Sequence, residues 1–373
     1  MEAVVPARSR VLVIGGYGFF GRRLVTRLAR WDGLHLVVAG RSLSSGTALV
    51  DGLRPASRSA LDAVTLDVQA PTLARDIERL NPDVVVHASG PFQGQDYRVA
   101  MAALASGAHC IDLADGRDFV TGIVALHTEA KRAGRAVISG ASSVPALSSA
   151  ACDHLARHFR EVIRIDIGIS PGNRTERGLS TVQAILSYCG RPLPAAGRSF
   201  GWSGSWRHVY PSPVGARLLS PCDVPDLDLL PCRYAGQPEV RFGAGLELPL
   251  LHRGMNAMAL LTRLGIVIDW ARHAVPLKWV ADRFKTWGSD AGAMHVAVTG
   301  TALDGRTTTR RWDLVAIGGD GPFVPTLAAA ALTRKLLRGE HALVGARPCV
   351  GLLSLDDFAR ETDGLRISTM LTP

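Results

Sequence analysis

The residues whose spacing most directly implies chemistry are four glycines, at 15, 16, 18 and 21, in the stretch VLVIGGYGFFG at residues 11–21. Four consecutive apolar residues run straight into them, and an amphipathic stretch, RRLVTRLARW, follows. The apolar run reads as a strand buried on both faces, and the stretch after it as a helix. Gly15 or Gly16 then allows a tight turn, Gly18 lets backbone come close to a diphosphate, and Gly21 lets the helix pack on the strand. Bare N–H groups and the helix dipole favour an anion at that helix start. The expectation is a dinucleotide-binding loop with Gly15, Gly16, Tyr17, Gly18, Phe19 and Phe20 as its contacts. The competing reading is a glycine turn that only packs.

The next strand, residues 35–41 (HLVVAGR), decides which dinucleotide. In such sites an acidic residue about 20 positions on takes the ribose 2′-OH, whereas an Arg suits a 2′-phosphate. No Asp or Glu lies between Asp32 and Asp51, and Arg41 with Ser42 stands at the strand end. A guanidinium can pair twice with a phosphate that a carboxylate would repel. NADP(H) is therefore expected over NAD(H); the plainer alternative makes Arg41 a solvated loop residue.

Proton chemistry needs donors near the reacting centre. The fourth strand, residues 83–87 (DVVVH), ends in Ala88, Ser89, Gly90, Pro91 and Phe92, a loop expected beside the nicotinamide. Tyr97, at the next helix start, and Asp112 and Asp115, after the fifth strand, are the nearest catalytic candidates. Two carboxylates at one strand exit could fix a substrate amine or raise each other's pKa. More plainly, Asp115 caps a helix and Asp112 bonds backbone.

These positions require a scaffold that gathers strand exits. Strand-like and helix-like segments alternate to residue 140: a third strand at 63–66, leading into Asp67 and Val68, helices at 47–53, 72–80, 95–106 and 119–133, and strands at 109–113 and 136–139. This βαβ repetition predicts a doubly wound parallel sheet with right-handed crossovers, binding ligands at the carboxyl ends of its strands. Beyond a helix at 149–158, VIRIDIGI at 162–169 alternates in period two. Pro, Gly and Ser thicken over 190–238, suggesting irregular structure. Asp304-Gly305 joins β-rich runs at 293–302 and 306–317, a hairpin signal, and a helix follows at 322–338. The expected organisation is an α/β chain. Residues 1–150 form a Rossmann NADP-binding domain, 151–340 a substrate and dimerisation domain on a mixed or antiparallel sheet, and 341–373 a tail returning to the first.

Composition excludes several classes. With 47% hydrophobic and 20% charged residues the chain is globular rather than disordered. Its net charge is +9, yet no basic run of five or six marks a nucleic-acid footprint. The six cysteines show no CxxC and no metal spacing, so free thiols in a reducing, cytoplasmic setting are expected and no metal site is. The opening MEAVVPARSR lacks the apolar core of a signal peptide. His154 and His158 have the spacing of a metal pair without the adjacent Glu, which favours a helix surface. No Tyr is followed by Lys four positions on, so the Tyr/Lys device of short-chain reductases is absent. Residues 246–287 combine apolar side chains, Trp270, Trp279 and Trp287, and six basic residues. Such helices more often cover a core, a dimer interface or an apolar pocket than lie on an anionic membrane.

GGYGFFGRRL, VVAGRS, DVVVHASGPF, CIDLAD and SGASSVPALSS together resemble the cofactor domain of saccharopine-dehydrogenase-like oxidoreductases over about residues 10–150. GNRTERGLSTVQAIL, WGSDAGAMHVAVTG and GPFVPTLAAAALTRKLL are similar to the second domain of that group. The resemblance implies a Rossmann domain with an α/β partner on a mixed sheet, often as a homodimer. It also implies hydride transfer with NAD(P), commonly at a C–N bond of a small-molecule substrate. The rival reading is a non-catalytic NADP-binding or membrane-associated scaffold.

Overall fold

The computed structural model describes residues 9–193, 199–340 and 343–372. The opening residues 1–8, and residues 194–198 of the Pro/Gly/Ser-rich stretch, lie outside the described residues. The strands of the N-terminal half are β1 Ser9–Ile14, β2 Leu34–Gly40, β3 Ala60–Thr65, β4 Val84–His87, β5 His109–Asp112 and β6 Ala136–Ser139. There follow β7 Phe159–Ser170, β8 Trp206–Tyr210, β9 Gly215–Pro221, β10 Glu239–Ala244, β11 Gly292–Ala302, β12 Thr307–Ala316, β13 Gly345–Pro348 and β14 Ile367–Thr372.

These strands make two seven-stranded sheets. In the first, the order is β13-β6-β5-β4-β1-β2-β3 and every pairing is parallel. The strand order reverses between β1 and β4, which opens a crevice above their carboxyl ends. Val11, Leu12, Val13 and Ile14 are buried on both faces of this sheet, as an interior parallel strand requires. The second sheet runs β14-β12-β11-β7-β10-β9-β8. Its β7–β10 pair is parallel and its other pairs are antiparallel, so it is mixed. The helix Ser148–Ala156 packs on β7, β11 and β12.

The chain divides into two compact units: one runs to Ala146 and takes in Phe323–Leu353, the other comprises Leu147–Pro322 and the segment from Ser354 onward. The division differs from the sequence expectation at the C-terminal end. The helix expected at 322–338 spans Val324–Leu337 and belongs to the first unit, not the second. Leu327, Ala328, Ala329 and Ala331 are buried around its circumference, against the helix Gly21–Leu28 and strands β4 and β5. A helix apolar all round must be enclosed, and the first sheet encloses it. The tail then splits: β13 extends the first sheet beside β6, while β14 pairs with β12 in the second.

Two further segments differ. The stretch 190–238, expected to be irregular, contains the β8–β9 pair, whose Tyr210, Val214 and Leu219 pack with Ala291 and Ala293. Residues 246–287 form the helices Pro249–Arg263 and Ala274–Asp282, and much of their apolar surface is exposed rather than covering a core.

Candidate functional site

The glycine loop leaves β1 at Gly15, whose φ of +76° is a left-handed conformation that glycine adopts without strain. Its N–H and that of Gly16 both donate to the Ala39 carbonyl of β2, and the Gly18 N–H closes back on the Gly15 carbonyl at 2.8 Å. A Cβ at Gly18 would stand 2.9 Å from that carbonyl oxygen, and one at Gly21 would collide with it outright. Gly21 therefore lets the helix Gly21–Leu28 start hard against the loop. Among the described residues nothing accepts from the backbone N–H groups of Tyr17, Phe19 and Phe20. The first turn carries no acid but holds Arg22 and Arg23, the latter bonded to the Phe19 carbonyl. Unpaired donors, a helix N-terminus and two guanidinium groups suit a diphosphate.

Tyr17 ties this loop to the exit of β2. Its hydroxyl accepts the Ser42 N–H at 2.7 Å, and its ring lies against Gly40, where a Cβ would come within 2.5 Å of Cε1. Ser42 caps the helix Leu43–Leu53: its Oγ accepts the Ser45 N–H and meets the hydroxyls of Ser44 and Ser45 at 3.1 and 2.9 Å. Arg41 is exposed and makes no hydrogen bond or ion pair among the described residues.

At the exit of β3, Asp67 turns the chain by accepting the Gln69 N–H, and Val68 packs on the core. Val68, Gln69, Gln95, Asp96 and Arg98 line a shallow polar depression there. At the exit of β4, Ala88 donates to the Ile14 carbonyl at 2.8 Å, and the Ser89 hydroxyl lies directly over Gly15. Gln95, not singled out from the sequence, donates to the carbonyls of Ser89 and Pro91 at 2.9 and 2.6 Å. That amide holds the Ser89–Gly90–Pro91 turn in place. The β1, β2 and β4 members of the expected cofactor set thus form one connected cluster, and the β3 pair stands at the next strand exit.

The three proton-transfer candidates have different surroundings. Tyr97 donates its hydroxyl to the Phe119 carbonyl at 2.9 Å, and burial with the nearby Asp112 and Asp118 charges raises its pKa. Asp112 is buried, opposite His87 and in line with Ser139. Its Oδ1 accepts from Ser139 Oγ and from the N–H groups of Ala114 and Gly140, all within 2.9–3.0 Å. Burial outweighs these bonds and pushes its pKa up to about 6. His87 beside it is held neutral, its pKa lowered to about 4 by burial. Asp115 is more open. Its pKa is raised by burial, an effect opposed by a 3.4 Å bond from Gln93 Nε2; the Oε1 of Gln93 is buried without a partner among the described residues. The next helix is capped by Gly116 and not by Asp115. Gln93 and Gln95 were missed because lone amides in a loop carry no spacing signal.

All six cysteines are free thiols, and only Cys232 is exposed. Among the described residues no group of His, Cys, Asp and Glu is arranged to hold a metal ion, and no helix is long and apolar enough to cross a membrane.

Residues 11–138 match the family model described as saccharopine dehydrogenase NADP binding domain. No curated protein matches the chain. Among solved structures, the chain is similar to saccharopine dehydrogenase (L-Glu forming) from Saccharomyces cerevisiae, at 15% identity and a TM-score of 0.67, over 98% of this chain and 100% of that one. A meso-diaminopimelate dehydrogenase mutant from Clostridium tetani is matched at 12% identity and a TM-score of 0.48, over 94% of this chain and 95% of that one. The likeness to the yeast enzyme shows a shared fold. The family match assigns an NADP binding domain to residues 11–138.

Proposed function

We infer that this chain, which carries a saccharopine dehydrogenase NADP binding domain at residues 11–138, transfers hydride between the nicotinamide and a C–N, C=O or C=C centre of a small or partly apolar substrate. The observation that carries the cofactor half of this reading is Arg41, a guanidinium without a partner among the described residues, in a strand exit lacking Asp and Glu. NADP, when bound, supplies the hydride chemistry. The chain supplies the rest. The amides of Tyr17, Phe19 and Phe20 receive the diphosphate, and Arg41 with Ser42 holds the 2′-phosphate. Ser89, Gly90 and Pro91, braced by Gln95, flank the nicotinamide. Of the two candidate carboxyls, Asp115 is the less buried, so it is assigned the proton. Tyr97 and Asp112 hold the exits of β4 and β5 through Phe119, Gly140 and Ser139. The second unit is read as the substrate and dimerisation part, and the same reading includes a homodimer in the cytoplasm.

Fluorescence titration with NADPH and NADH, followed by NADPH consumption with imines, carbonyls and activated alkenes, tests this. Tighter NADPH binding with turnover of one class supports it. Tighter NADH binding overturns the cofactor assignment, and binding without any turnover favours the scaffold reading.

A further inference from the structure

The second unit presents an apolar surface that no other described part of that unit covers. On the helix Pro249–Arg263, Leu250, Ala257 and Leu260 are exposed at helical spacing beside Arg253 and Arg263, while His252 and Ala259 are buried. The stripe continues into a tip, Leu264-Gly265-Ile266-Val267-Ile268, where Leu264 is 63% and Ile268 83% exposed. The helix Ala274–Asp282 repeats the pattern with Val275, Trp279 and Val280. The tip is anchored, since Trp270 Nε1 donates to the Met258 carbonyl and to Thr262 Oγ1 at 3.0 and 2.9 Å. Scattered exposed leucines need no occupant, but a run of them on one anchored helical segment does.

Charge decides which occupant fits. The segment 249–287 holds six basic residues, Arg253, Arg263, Arg272, Lys278, Arg283 and Lys285, against two acids. Each acid already faces a base: Asp269 lies 3.5 Å from Arg272, and Asp282 lies 2.6 Å from Lys278. The helix Pro249–Arg263 has no acidic residue at all. A two-fold contact with a second copy would set this basic surface against itself. An anionic lipid surface meets both demands, taking the apolar tip among its acyl chains and the Arg and Lys rim among its headgroups. Trp279, 59% exposed and stacked under the Arg283 guanidinium at 4.3 Å, is the side-chain type that suits that interface.

We propose that the surface formed by the helices Pro249–Arg263 and Ala274–Asp282, with the tip at 264–268 between them, docks the protein peripherally on an anionic membrane. Flotation of the full chain with phosphatidylcholine vesicles, with and without phosphatidylglycerol, tests it. The expected result is retention on the anionic vesicles, weakened by added salt and by the pair Arg253→Glu and Arg272→Glu by about tenfold or more. Ile268→Asp, at a solvent-facing tip, is expected to abolish retention while leaving the melting temperature and NADPH affinity unchanged. Absence of retention on anionic vesicles overturns the proposal, as does retention that the variants leave intact. So does a shift from dimer to monomer in Ile268→Asp without change in vesicle binding, which would make the surface a contact between copies.

Discussion

The hydroxyl of Tyr17 accepts the backbone N–H of Ser42 at 2.7 Å, so a residue of the diphosphate loop holds the exit of the second strand. The two loops proposed to hold the diphosphate and the 2′-phosphate are thereby one mechanical piece. Tyr17→Phe keeps the ring against Gly40 and removes only that bond. A hydrogen bond of this kind contributes about 0.5–1.5 kcal/mol, so NADPH affinity should fall about two- to tenfold, with a smaller effect on NADH. Equal losses for both cofactors, measured by titration, would show that Tyr17 acts on the diphosphate alone.

Arg41 makes a sharper test of cofactor choice. In Arg41→Ala the glycine loop is untouched, and only the charge proposed to face the 2′-phosphate disappears. Charge-assisted bonds are worth about 1.5–3 kcal/mol, so NADPH should bind about ten- to a hundredfold more weakly while NADH is unaffected. An unchanged ratio of the two dissociation constants would move the 2′-phosphate to another cation.

Asp115 and Gln93 permit a test of proton transfer that cofactor binding does not disturb. Asp115→Asn should lower kcat about a hundredfold or more with the NADPH dissociation constant unchanged. If protonated Asp115 gives the proton, the rate falls as pH rises through its pKa. The Gln93 bond stabilises the charged carboxylate, so Gln93→Ala should carry that alkaline limb to higher pH. Full activity in Asp115→Asn removes the residue from the mechanism.

Legibility tracked how local the determining physics was. The run from Val11 to Gly21 was readable because a strand, a turn and a helix start each leave their own short-range mark: an apolar run, a glycine at positive φ, and a glycine where backbones touch. NADP was readable through the absence of acids near Arg41. The helix Val324–Leu337 was legible as a helix but not as a member of the first unit, since its alanine-rich circumference states only that it is buried, not by which sheet. The β8–β9 pair was hidden because glycines and prolines interrupt its period-two pattern, and its pairing is fixed by packing on Ala291 and Ala293, far along the chain. The roles of Gln93 and Gln95 depend on which carbonyl or carboxylate lies opposite, a relation fixed only in three dimensions.

Asp226 gives a prediction about stability. Its carboxyl is wholly buried, Oδ1 accepts the Ser148 hydroxyl, and Oδ2 has no partner among the described residues. Burial pushes its pKa up to about 7, against which the Ser148 bond pulls only partly. The folded-state value lies above the ordinary one of about 4. The group's contribution to stability is therefore complete below about pH 4 and is lost as pH rises through 7. A shift of that size corresponds to a few kcal/mol, in order of magnitude. Asp226→Asn keeps a carbonyl for Ser148 and cannot ionise, so its melting temperature should gain on the wild type as pH rises from about 5 to about 8. Melting curves that run parallel for the two proteins across that range would mean that the buried carboxyl does not carry its proton near neutrality.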